Sequence, residues 1–156
     1  MRISVVVLLV DVLAAAAGFA SPSVAADECL SPSQLHDVTR MASVMGIGAA
    51  VRRCGHCLGA DDYARTLEQY DAAGLMRDFS AAQVALAGAE PHSAVYGDTI
   101  VRQHARTYAE TLSNNCDACR KTADLVKSLS SPEARDRFYE REGADLASSS
   151  DVKLCP

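Results

Sequence analysis

The chain has 156 residues, 15 Lys+Arg against 20 Asp+Glu and a formal net charge of -5, which argues against a nucleic-acid binder with its broad basic face. Its only adjacent basic pair before Arg120-Lys121 is Arg52-Arg53. At 49% hydrophobic and 22% charged it is globular, not a disordered tail, and the length suits one domain.

Residues 1–26 have the layout of a signal peptide. Arg2 opens it, Ile3 to Val10 and Val12 to Phe19 are apolar, Ser21-Pro22 break the stretch, and Ser23-Val24-Ala25-Ala26 offers small residues for cleavage. Asp11 is costly within an apolar run. The competing reading is an uncleaved anchor, and the 18 residues from Ile3 to Ala20 sit at the short end of a membrane span. The small-residue site and the helix breakers favour cleavage. Ala26-Asp27-Glu28 is not a lipid-attachment site before Cys29. The expectation is a secreted or periplasmic protein with residues 27–156 as a single helical domain. It predicts no stable membrane insertion after cleavage.

The remainder reads as all-α. No stretch alternates at period two, and alanine is plentiful. Ser31, Pro32 and Gln34 form a capping box with proline at the first helical position. Leu35, Val38, Ala42, Met45 and Ala49 follow as a core-facing stripe, widened by Met41, Val44 and Val51, so a helix runs to about Arg53. Gly46 and Gly48 weaken its middle and mark a candidate kink. A second helix spans about 61–73, capped by Asp61 or Asp62, with Tyr63, Leu67 and Tyr70 on its apolar face and Gly74 at its end.

Ser80 with Gln83 predicts a short helix stopping near Gly88, and Glu90-Pro91 through Gly97 reads as a loop. Asp98 opens the next helix, which presents Val101, Ala105, Tyr108 and Leu112 until Asn114-Asn115 interrupt it. Beyond the interruption, Cys116, Cys119, Ala123 and Val126 share one seam, expected to be buried. Ser130, Pro132 and Glu133 begin the last helix, which fades near Ala147 before a tail ending Cys155-Pro156. The fold expected is a small disulfide-stapled bundle of about five helices.

Cys54-Gly55-His56-Cys57 resembles the active-site motif of protein disulfide isomerases. The resemblance covers four residues and implies Cys54 attacking, Cys57 resolving and His56 favouring the thiolate. Thioredoxin-like proteins also place a strand before the motif, usually a Trp beside it and a cis-proline opposite. Here Val51-Arg52-Arg53 precedes it at a helix end, the chain has no Trp, and Pro91 is not at a strand entry. A thioredoxin fold is therefore not expected. A thiol–disulfide oxidoreductase on a helical scaffold, with Cys116 and Cys119 relaying electrons, is the alternative function.

A zinc site on Cys54, Cys57, Cys116 and Cys119 is a weaker reading, because the inner gap of 58 residues far exceeds that of ribbon-type sites. His36, His92 and His104 are scattered and form no ligand pattern. No metal or other cofactor is expected.

The favoured reading is structural. Cysteines three apart lie on one helix face, so Cys54 and Cys57 can pair with Cys116 and Cys119 across two adjacent helices. Cys29 and Cys155 then tie the ends together. Six cysteines allow 15 connectivities, and a continuous first helix of about 33 Å keeps Cys29 away from Cys54. Asp61-Asp62 suits a helix cap, the alternating charges of Glu133 to Glu142 suit a solvated face, and Tyr63 and Tyr70 suit a core or groove wall. No nucleophile elbow, phosphate loop, zinc-protease or haem-attachment motif occurs. The function expected is a non-enzymatic exported protein with three structural disulfides that binds a protein partner or small ligand.

Overall fold

The computed structural model describes residues 28–156; the segment read as a signal peptide, 1–26, lies outside them. The described residues are all-α, with six helices. These are α1 (Pro32–Arg53), α2 (Ala60–Ala72), α3 (Leu75–Ala87), α4 (Pro91–Leu112), α5 (Cys116–Ser128) and α6 (Pro132–Ala147). A single 3-10 turn, Cys54–His56, follows α1. The all-α bundle of about five helices is borne out with six, Asn115 marking where α4 and α5 separate. The Asn115 side chain accepts a bond from Ala118 N at 2.9 Å, which caps α5 as an independent helix.

α1 is the axis of the molecule and packs against every other helix. Its capping box is formed as expected. Ser31 Oγ accepts from Gln34 N at 3.3 Å, and Ser31 N donates to Gln34 Oε1 at 2.7 Å. From Val38 to Val51 the helix buries residues on nearly all sides, which suits a central helix. Two core clusters form along it. One gathers Val44, Ile47 and Val51 with Tyr70, Leu75, Phe138 and Tyr139, and the other gathers Val38 and Met41 with Leu30, Leu86, Val101 and Leu146.

Gly46 and Gly48 do not interrupt α1. They are where neighbours approach. A Cβ on Gly46 would lie 2.8 Å from Tyr108 Cδ1, and one on Gly48 would lie 2.6 Å from the Tyr70 hydroxyl. That hydroxyl donates to the Val44 carbonyl at 3.0 Å. The expected stripe also needs correction: Met45 is 39% exposed and Ala49 is half-buried, while Ile47 and Ala50 are fully inside.

Two further boundaries differ. Gly74, at φ 81, both ends α2 and turns the chain into α3, which starts at Leu75. Ser80 is therefore inside α3, where its hydroxyl donates to the Met76 carbonyl at 2.9 Å instead of capping a helix. The segment expected as a loop after Glu90 is the start of α4. The Glu90 carboxylate accepts from His92 N and Ser93 N at 3.0 and 3.2 Å, Pro91 takes the first helical position, and Asp98 is interior. Likewise Gly59, not Asp61 or Asp62, stands at the cap of α2, and Ser131 rather than Ser130 caps α6.

The ends are joined. Leu30 N donates to the Lys153 carbonyl at 2.9 Å and Cys155 N to the Leu30 carbonyl at 3.0 Å, a short parallel bridge beside the Cys29–Cys155 disulfide. Tyr96 fastens the tail to α4, accepting from Lys153 N at 2.8 Å and donating to the Asp151 carbonyl at 3.1 Å. No helix among the described residues is long and apolar enough to cross a membrane.

Candidate functional site

α1 delivers Cys54 as its C-terminal cap, and the 3-10 turn swings Cys57 to the next position along the same edge. The first turn of α5 presents Cys116 and Cys119 opposite. The bridges formed are Cys54–Cys119 and Cys57–Cys116, with Cα–Cα distances of 5.3 and 5.0 Å. The first cysteine of one motif meets the last of the other, as antiparallel segments require. With Cys29–Cys155 the described residues hold no free cysteine.

The two staples differ in environment. Cys54 and Cys119 are fully buried. Cys57 is half-buried and Cys116 is exposed, so the seam expected to bury both α5 cysteines buries only Cys119, together with Thr122 and Val126. Cys116 is the first residue of α5 and lies at the mouth of the junction. Tyr63 closes the turn from α2: its ring lies at van der Waals distance, 3.4 Å, from where a Gly55 side chain would begin.

His56 lies beside the exposed bridge. Its Nδ1 is 2.8 Å from the Arg53 carbonyl, which can only accept, so Nδ1 carries the proton. The lone pair of Nε2 then faces Cys57 Sγ at 3.3 Å. His56, Cys57 and Cys116 bring their nitrogen and sulfur atoms within 4.8 Å of one another. While the two sulfurs are bonded to each other, neither is a thiolate for a metal. The four-thiolate arrangement is likewise replaced by two disulfides. Cys54 and Cys57 are not bonded to each other, so the attack-and-resolve pairing implied by the tetrapeptide is not the one present.

The remaining sequence candidates are dispersed. His36 lies on α1 and is half-buried, and His92 is exposed in the first turn of α4. His104 stacks on Tyr108 at a centroid distance of 6.0 Å, and burial lowers its pKa below the usual histidine range. Asp62 pairs with Arg65 at 3.3 Å on the surface of α2. The Asp62, Arg65, Arg120, Asp124 and Lys127 side chains line a mixed-charge groove of about 300 Å³ between α2 and α5.

Sequence reasoning missed a buried polar centre. Arg135 Nε donates to Asp78 Oδ2 at 2.6 Å, and the Tyr139 hydroxyl donates to the same oxygen at 3.1 Å. The partners are 57 and 61 residues apart, and no local motif marks them. Compared with protein-family models, curated proteins and solved structures, the chain matched none.

Proposed function

We propose that residues 1–26 direct export and are removed, and that residues 27–156 act in the periplasm or outside the cell as a non-enzymatic, disulfide-stapled helical protein that binds a protein partner or ligand. The observation that carries this reading is the use of all six sulfurs. One bridge joins the chain ends, and two fix the end of α1 to the start of α5. Such bridges persist in oxidising compartments. Their effect is a frame whose surface is preorganised, which lowers the ordering cost of binding.

The contact between His56 and the exposed Cys57–Cys116 bridge favours a second reading, thiol–disulfide exchange. A substrate dithiol would give its first thiol proton to the free Nε2 of His56 and attack Cys116 Sγ as the thiolate, breaking the Cys57–Cys116 bond and releasing Cys57 as a thiolate facing the new Nε2–H. The second substrate thiol would then resolve the mixed disulfide. The substrate would leave oxidised and the Cys57–Cys116 pair reduced.

The two readings are separated by equilibrating the native protein with glutathione buffers and by assaying catalysed oxidation of a dithiol peptide. Structural staples have potentials below about -300 mV, resist glutathione and give no turnover. Selective, reversible reduction of Cys57–Cys116 with catalytic turnover would replace the binding reading by the exchange reading.

A further inference from the structure

We infer that the groove between α1 and α4 is a docking site for an acidic, aliphatic segment of a partner protein, an inference that rests on the binding reading above. The groove has a volume of about 280 Å³. Arg52 and Arg53 from the last turn of α1 and Arg102 and Arg106 of α4 line it; the Arg52 guanidinium also reaches past Gly48 toward Tyr70. The floor is Met45 and Ala49 of α1 against Ala105 and Ala109 of α4.

Charge points to an acidic occupant. The whole chain carries -5, yet four arginines line this groove. Arg102 pairs with Asp98 at 2.8 Å and Arg106 with Glu110 at 3.2 Å, each within α4 and at least half exposed. Exposed pairs of this kind contribute about 0–1 kcal/mol, so both guanidinium groups can exchange those carboxylates for a partner's. Arg52 and Arg53 have no carboxylate within ion-pair distance among the described residues, leaving two positive charges in excess. Their place at the α1 C-terminus also suits the helix dipole. The dipole does not account for the second arginine pair, Arg102 and Arg106 of α4, that lines the same groove.

The floor points to an aliphatic component. Met45 and Ala49 belong to the apolar stripe of α1, yet they open to this groove instead of entering the core. Alanines permit close approach of a backbone, and the flexible methionine adapts to an aliphatic side chain. Phosphate polyanions bring no aliphatic group for this floor. Nucleic acid and anionic membranes would extend beyond the groove over the rest of an acidic molecule, whereas a short acidic segment can stay within the groove. The backbone here is fixed as well: Arg53 adjoins Cys54, which is bonded to Cys119, and its carbonyl is held by His56. The backbone is what is held; the Arg53 guanidinium itself is exposed and free to make a bidentate pair with a carboxylate.

The test selects a random displayed-peptide library on the oxidised protein and measures the enriched peptides against two variants. Arg53→Glu/Arg102→Glu reverses the groove, and Arg65→Glu/Arg120→Glu makes the same charge change in the α2–α5 groove. Thermal melts and thiol counts verify that both are folded and oxidised. Enriched peptides carrying several carboxylates among aliphatic residues are expected, with affinity falling about tenfold or more in the first variant, little in the second, and further at high salt. Failure to enrich peptides, enrichment of peptides without carboxylates, or equal losses in the two variants would overturn the groove. So would phosphatidylserine vesicles binding in an Arg53- and Arg102-dependent way, because the site would then take a lipid headgroup. Peptides bound elsewhere sink the groove and leave the binding reading intact, whereas catalysed dithiol oxidation sinks the reading beneath it.

Discussion

Removing the two staples one at a time and together tests how they hold the junction. Cys54–Cys119 and Cys57–Cys116 span sequence separations of 65 and 59. Alone, either would stabilise by about 4 kcal/mol in the chain-entropy model. They are not independent. Once one is closed, the other closes only a ring of about eight residues, Cys54 to Cys57 with Cys116 to Cys119, worth about 2.5 kcal/mol by the same relation. The exposed-bridge variant Cys57→Ser/Cys116→Ser should therefore lose about 2.5 kcal/mol in urea unfolding, and removal of both bridges about 7 kcal/mol. Cys54→Ala/Cys119→Ala should lose more than the exposed pair, because two fully buried sulfurs go with the bond. The coupling is thus about 2 kcal/mol beyond the sum of the two ring terms. Strict additivity, with about 4 kcal/mol for the exposed bridge alone, would refute the shared-ring argument.

Three further outcomes follow from the packing. Asp78→Ala strands the buried Arg135 guanidinium and should cost about 3 kcal/mol in chemical unfolding, whereas Asp78→Leu with Arg135→Met should cost less than that single change; a loss under about 1 kcal/mol for Asp78→Ala would contradict the ion pair's place in the fold. Gly46→Leu drives a side chain into Tyr108 and the Ala105 carbonyl, and its melting temperature should fall well below that of the exposed control Gly59→Ala, which meets nothing within 4 Å. For His104, burial lowers the folded pKa, so its contribution is present above the unfolded value of about 6.5 and is lost as pH falls through the folded value. His104→Gln should flatten the decline in melting temperature below pH ~6.5, and an unchanged slope would rule His104 out as its source.

What the sequence disclosed was local chemistry. Ser31-Pro32-Gln34 and Asn114-Asn115 announce helix boundaries because capping depends on residues within one turn. The facing of the two Cys-x-x-Cys motifs follows from helical spacing in the same way. The boundaries that escaped depend on context. Ser80-x-x-Gln83 has the composition of a cap, but Gly74 had already restarted the chain six residues earlier. Glu90-Pro91 and Gly97 read as a loop, although the proline is at the first helical position and the glycine admits Leu86 and Val38. Met45 and Ala49 fit the apolar period of α1, yet only the position of α4 decides that they face a groove. The Asp78–Arg135 pair is likewise set by tertiary packing, which a one-dimensional pattern does not encode.

The most direct measurement is a disulfide map of the native exported protein, alkylated before digestion and read by mass spectrometry. Bridges Cys29–Cys155, Cys54–Cys119 and Cys57–Cys116 with no free thiol are predicted. Local Cys54–Cys57 and Cys116–Cys119 bonds would contradict the account, because α1 and α5 would then be unstapled and each motif would be a self-contained dithiol.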